Sequence, residues 1–209
     1  MSSKSLLHST LAAIDELDRA AMSGADAHQR LLAIPEDSLG QLHKVAVRLA
    51  GICRQKQPEI KQTAVITMAG DHGVTAQGVS RCPQQVTKEM VANFDQGGAA
   101  INILSRHAGA RLTVVDIGVA GTLPETKSSE QGTTRLLRRR VADGTADISI
   151  GPAMSRDQAV KALETGIQVL AEEAALGLDA VGTGDMGIGN TTPSSAIASV
   201  LLNKEPAEV

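Results

Sequence analysis

The stretch Thr63-Ala64-Val65-Ile66-Thr67-Met68-Ala69-Gly70-Asp71-His72-Gly73-Val74 decides the fold class. Its first seven residues are uncharged and show no apolar-polar alternation; a glycine ends them, and a carboxylate and an imidazole follow at once. A strand buried on both faces reads this way, because helices cover both sides of a parallel sheet. The same grammar returns at residues 112–117 before Gly118, at residues 148–150 before Gly151 and at Ala180-Val181 before Gly182. Four parallel strands are expected, with the chemistry in the loops beyond their carboxyl ends, where ligands of open α/β sheets bind.

Helical patterns fill the intervals. Between residues 84 and 108, Val86, Met90, Val91 and Phe94 follow helix spacing, Gly97-Gly98 interrupts, and Ile101, Leu104 and Ala108 resume before Gly109. Ser155, with Gln158 three residues on, opens a helix expected to bury Ala159, Leu163, Ile167 and Leu170 and to stop at Gly177. Ahead of the first strand, amphipathic stretches at about residues 6–22 and 39–54, separated by a loop containing Pro35, predict a small helical appendage over residues 1–60. Residues 61–209 then form the parallel α/β domain, with residues 120–134 as a surface excursion.

The 209 residues include 20 basic and 23 acidic side chains, one phenylalanine, and no tryptophan or tyrosine. Near-balanced charge argues against a nucleic-acid or membrane-surface binder, both of which ask for a basic excess. The missing aromatics also remove base-stacking platforms. No stretch approaches the roughly 18 apolar residues of a membrane span, and residues 1–11 lack a basic flank before an apolar run, so neither export nor membrane insertion is expected. Cys53 and Cys82 stand far apart, with no ligand-type residue at metal spacing, which points to no zinc site, no disulfide framework and a reducing cytoplasm.

Asp71-His72 reads either as a turn, with Asp71 capping and His72 exposed, or as a functional pair. In Gly78-Val79-Ser80-Arg81-Cys82-Pro83 the proline suits a helix's first turn, so Ser80 and Cys82 face whatever sits above the sheet. Cys82 and Met90 read equally as packing or as the wall of a pocket for a flat apolar ring. The loop at residues 144–154 is glycine-bearing as well, either for turns or for close approach to a ligand.

The richest loop is Gly182-Thr183-Gly184-Asp185-Met186-Gly187-Ile188-Gly189-Asn190-Thr191-Thr192-Pro193. With Asn190 capping the next helix, the N–H groups of its first turn, together with Thr191 and Thr192, make an anion site able to hold a phosphate. No Gly-Lys-Ser/Thr follows, so it is not a P-loop. Gly182, Gly184 and Gly187 match G-x-G-x-x-G, but after the last strand and around an acidic residue, which speaks against a dinucleotide site. Asp185 is costly beside a phosphate unless it meets a hydroxyl, a proton or a cation; otherwise it caps a turn. The basic run Arg135, Arg138, Arg139, Arg140 reads as solvating a strand edge.

Taken in order, Asp71-His72-Gly73-Val74, residues 83–93, Gly97-Gly98-Ala99-Ala100-Ile101-Asn102, Val115-Asp116-Ile117-Gly118-Val119, Gly151-Pro152-Ala153-Met154 and residues 185–192 resemble the nicotinate-nucleotide:dimethylbenzimidazole phosphoribosyltransferase family of cobalamin synthesis. Ser38-Leu39-Gly40 is similar to a motif near that family's N-terminus. The resemblance runs nearly end to end, although family members are much longer. It implies a Rossmann-like parallel sheet flanked by helices, with the C-terminal part of the family fold lying outside this chain.

The implied reaction moves the 5-phosphoribosyl group of nicotinate mononucleotide to dimethylbenzimidazole, giving nicotinate and α-ribazole 5′-phosphate. The leaving pyridinium is already cationic, so no cofactor or metal is implied, and attack from the opposite face inverts C1′. By resemblance Cys82, Met90 and Met186 line the base pocket, with Asp71, His72 and Ser80 also on the substrate, and Gly187, Asn190, Thr191 and Thr192 take the phosphoribosyl end. Asp185, where relatives commonly carry Glu, is the catalytic candidate; the family's general-base glutamate lies in a segment beyond Val209. Cys82 stands where relatives often have Tyr or Ser, which bears on base preference. The implied partners are nicotinate mononucleotide, a benzimidazole-type base and a second copy in a homodimer. With that base absent from these residues, the chain alone is expected to turn over very slowly or not at all; the alternative is a non-catalytic remnant that binds nucleotide and base.

Overall fold

A computed structural model describes residues 5–35, 38–123 and 134–209. The excursion expected over residues 120–134 therefore falls mostly outside the described residues. The chain divides into two compact units, Met1–Lys61 and Gln62–Val209.

The first unit holds α1 (Leu6–Ala12), α2 (Arg19–Gln29) and α3 (Gln41–Cys53). The single stretch expected over residues 6–22 is two helices, because the Asp18 carboxylate accepts the Ala21 N–H at 2.9 Å and starts a new one. α2 and α3 pack closely at Gly51, where a β-carbon would stand 2.6 Å from Cγ of Met22.

In the second unit β1 (Thr63–Gly70), β2 (Arg111–Gly118), β3 (Thr134–Arg138) and β4 (Ala180–Met186) form one sheet in the order β3-β2-β1-β4, every pair parallel. Between β1 and β2 run α4 (Gln85–Asp95) and α5 (Ala100–Ala108), divided at Gly97-Gly98 as expected. α6 (Arg156–Ala175) opens on the Ser155–Gln158 capping box, and α7 (Thr191–Leu202) follows β4.

Alternate residues of β1 feed two cores. Ala69 packs with Leu112 and Val114 under Val91 and Phe94 of α4, whereas Ile66 packs with Val115 under Val169 of α6. α4 and α6 therefore cover opposite faces of the sheet. Asn102 ties the first layer together: its amide donates to the Phe94 carbonyl and to the Thr134 hydroxyl, both at 2.9 Å, and its oxygen accepts the Ala99 N–H.

Three expectations are corrected. Residues 148–150 form a turn rather than a strand, because the Asp147 carboxylate accepts the Ser149 N–H at 2.9 Å and its hydroxyl at 2.7 Å, a local arrangement that competes with ladder pairing. The remaining strand is β3, at the edge that the basic run was expected to solvate; Arg135 and Arg139 there pair with Glu172 of α6. β4 extends through Gly182 and Gly184 to Met186, so Asp185 belongs to a strand end rather than a loop.

The inner stripe of α6 also differs from expectation. Leu163 and Leu170 are exposed, Ala159 and Ile167 are half-buried, and Thr165, Val169 and Glu173 face the sheet. Glu173, 1% exposed, turns the helix inward by accepting the Thr113 hydroxyl at 2.6 Å and the Arg111 Nε–H at 3.1 Å. A carboxylate satisfied in this way displaces leucine from the buried face.

Candidate active site

The chain moves from β1 to β2 to β3 in one direction and then places β4 on the other side of β1. That reversal is a topological switch point, and it opens a crevice beyond the carboxyl ends of β1 and β4. The residues there are Gly70-Asp71-His72 from β1 and Asp185-Met186-Gly187 from β4.

Asp71 is buried and staples three loops. Its N–H donates to the Gly118 carbonyl at 2.9 Å, its carbonyl accepts the Thr145 N–H at 3.0 Å, and its Oδ2 accepts the Ala120 N–H at 2.7 Å. It caps the loop after β2, not its own turn. Gly73 closes the same seam, since a β-carbon there would stand 2.6 Å from the Ala146 carbonyl carbon.

His72 is half-buried, and its ring lies against Gly187, where a β-carbon would stand 3.0 Å from Nε2. Burial pushes the imidazole below its ordinary value, while the charges of Asp71 and Asp185 pull the other way. A neutral ring offers one donor and one acceptor at this wall of the crevice.

Asp185 is exposed, and its Oδ2 accepts a hydrogen bond from Nδ2 of Asn190. Asn190 occupies the N-cap position of α7 but makes no side-chain cap bond, contrary to the capping role expected of it. Its amide is spent on Asp185 instead, and the first turn of α7 keeps its dipole without a side-chain cap. The side chains of Thr191 and Thr192 stand in that first turn. Fewer backbone donors are open there than expected, because the Thr192 N–H is given to the Gly189 carbonyl at 3.2 Å and Pro193 has none; the Thr191 N–H, the two threonine side chains and the helix dipole are what this start offers an anion.

The remaining expected residues divide. Ser80 and Cys82 line an open cavity of 380 Å³ with Gly73, Thr75 and Gln84, the Ser80 hydroxyl accepting the Cys82 N–H at 3.2 Å. Met90 and Met186 instead pack against the core beneath α4. The structure thus brings His72, Asp185, Gly187 and Asn190 together, sets Ser80 and Cys82 beside them along the β1 loop, and turns the two methionines inward.

Thr87 was missed. It is buried on α4, and its hydroxyl accepts the Ile188 N–H at 2.9 Å, holding the loop that carries Gly187. Its signal was present: Thr87, Val91 and Phe94 lie on one helical stripe, and a threonine in an apolar stripe must find a partner. Among the described residues no three His, Cys, Asp or Glu side chains are grouped to hold a metal ion.

An open parallel sheet with a carboxylate, a half-buried imidazole and a helix start at its switch point defines a doubly wound α/β protein. A family profile described as phosphoribosyltransferase matches residues 14–209, and the chain belongs to that family. It is 49% identical over 205 residues to the nicotinate-nucleotide–dimethylbenzimidazole phosphoribosyltransferase of Roseiflexus castenholzii, covering 98% of this chain and 56% of the relative. It is 48% identical to the protein of that name from Dehalococcoides mccartyi, with the same coverage. The crystal structure of the Thermus thermophilus enzyme of this name superposes with a TM-score of 0.84 at 40% identity, over 91% of this chain and 56% of that one. The chain spans a little over half the length of the relatives it matches.

Proposed function

We propose that this chain supplies the nucleotide-holding part of a transferase that moves the 5-phosphoribosyl group of nicotinate mononucleotide to 5,6-dimethylbenzimidazole, giving α-ribazole 5′-phosphate and nicotinate in cobalamin biosynthesis. The observation that carries the reading is the meeting of His72, Gly187 and the Asp185–Asn190 pair at the switch point of a chain from this family. The phosphate takes the first turn of α7 with Thr191 and Thr192. The ribose lies between His72 and Asp185, whose carboxylate steadies positive charge developing on the sugar. The acceptor base enters by Ser80 and Cys82, with Asp71 fixing the loops around it and Met90 and Met186 backing the floor.

The pyridinium leaves without help, so positioning supplies much of the rate. Deprotonating the incoming benzimidazole needs a general base, worth about 10²–10⁴-fold. By family resemblance that glutamate lies outside these residues, so the chain alone binds nucleotide and turns over slowly. Two free cysteines support a reducing, cytoplasmic setting. No helix is long and apolar enough to cross a membrane among the described residues. Exposed Ile103 and Leu104 on α5 support a homodimer.

Competition calorimetry tests the reading. Nicotinate mononucleotide binds and is displaced by α-ribazole 5′-phosphate, whereas NAD binds at least about tenfold more weakly, for want of a fingerprint loop. Equal binding of NAD would favour a dinucleotide site instead.

A further inference from the structure

The loop Gly187-Ile188-Gly189-Asn190 joins β4 to α7, and three separate segments hold it. Gly187 is buried against the end of β1. Gly189, at φ +79°, lies against the segment that follows β1: a β-carbon there would stand 2.9 Å from Cγ2 of Thr75 and 3.3 Å from Cγ2 of Val79. Between the two glycines, the Ile188 N–H donates at 2.9 Å to the hydroxyl of Thr87 on α4, 101 residues away in the chain.

The contacts at the glycines limit how closely the loop approaches its neighbours. A hydrogen bond is directional, so the third contact also fixes how the loop peptide is turned. Within the loop the Asn190 N–H returns to the Gly187 carbonyl at 3.0 Å. The orientation set at Ile188 therefore passes to Asn190, and through the Asn190 amide to Asp185. Thr87 is itself immobilised: it is 0% exposed, in the first turn of a helix anchored in the core by Val91 and Phe94. Its hydroxyl oxygen is a fixed point against which a glycine-rich loop is set.

We propose that Thr87 is a positioning residue for the nucleotide. Buried as it is, it acts through Ile188: its oxygen orients the loop so that the Asp185–Asn190 pair and the start of α7 stand ready for the phosphoribosyl group before it arrives. A loop with two glycines would otherwise sample many orientations and lose that freedom on binding, at a cost in affinity. The inference rests on the phosphoribosyltransferase reading, from which the nucleotide is taken.

Two substitutions separate the oxygen from the packing. Thr87→Val keeps the shape and removes the acceptor, whereas Thr87→Ser keeps the acceptor and removes a methyl group. A residue that only supported the fold would make nucleotide affinity follow stability; here affinity follows the oxygen. By calorimetry at a temperature where each variant is folded, Thr87→Val is expected to bind nicotinate mononucleotide about tenfold more weakly than the parent, and Thr87→Ser within about twofold of it. In the ligand-free chain the amide signals of Ile188, Asn190 and Thr191 shift in Thr87→Val and return toward their parental positions in Thr87→Ser. Parental affinity in Thr87→Val, or an equal loss in both variants, overturns the proposal. Should Thr87→Val not fold, hydrogen exchange of the parent decides: an Ile188 amide that is protected, and more so with nucleotide bound, upholds the proposal, and an unprotected one overturns it. A parent that binds no nicotinate mononucleotide while the amide signals respond as expected upholds the orienting bond and contradicts the nucleotide reading.

Discussion

A β-carbon on Gly187 would stand 2.2 Å from the carbonyl oxygen of Gly70, so the ends of β4 and β1 meet backbone to backbone at the mouth of the crevice. Only a residue without a side chain allows that approach, and the same absence seats the His72 ring.

Gly187→Ala therefore forces the two strand ends apart. The expected cost is about 1–3 kcal/mol in urea unfolding, in the range of overpacked sites. Nicotinate mononucleotide binding falls with it. An unchanged unfolding midpoint would show that the strand ends are not in contact.

Asn190→Ala removes the amide that holds Asp185. The pair is on the surface, so stability changes by no more than about 0.5 kcal/mol. Nucleotide affinity falls by about tenfold or more, the cost of losing a hydrogen bond to a charged group. Calorimetry beside a thermal melt separates the two effects.

His72 titrates below its ordinary value of 6.5, because burial disfavours the imidazolium more than Asp71 and Asp185 favour it. A depressed folded value means that the unfolded chain binds the proton more readily. Stability is therefore lost as pH falls from about 6.5 through the folded value. NMR of the His72 ring should give a midpoint below 6.5, and Asp185→Asn should lower it further by removing a favourable charge. A midpoint raised by that substitution would place Asp185 away from the ring.

Glu173→Ala leaves the Thr113 hydroxyl at the opposite end of the sheet without its acceptor, while Arg111 keeps the Gln62 side chain and the Gly177 carbonyl. The expected cost is about 1–3 kcal/mol, that of leaving a buried polar group unpaired. Nucleotide binding by the remaining folded fraction is expected to be unchanged, since this cluster lies at the amino ends of the strands.

How far the sequence carried the fold depended on whether each signal was local. β1 and β2 were legible as largely apolar, β-branched runs ended by glycine, and the capping box at Ser155 announced the start of α6. β3 was read only as a basic run solvating a strand edge; it is itself the edge strand, its two apolar residues Leu136 and Leu137 being flanked by Arg135 and Arg138. Residues 148–150 imitated a strand, since Ile-Ser-Ile has the right composition while the competing Asp147 turn lies just before it. Leu163 and Leu170 were expected inside α6 on periodicity alone; the long-range partners of Glu173 decided otherwise. At the candidate site, Asp185 and Asn190 could be named from the glycine-rich stretch, but their hydrogen bond to each other could not, nor could the inward turn of Met90 and Met186.

The most direct test of where the nucleotide sits is the shift of backbone amide signals on adding nicotinate mononucleotide to the isotope-labelled chain. The expected result is a set of perturbations at Gly70, His72, Gly187, Asn190 and Thr191, with little change at the amino ends of the strands around Arg111. Perturbations centred on Arg111 and Arg135, or none at saturating nucleotide, would contradict a switch-point site.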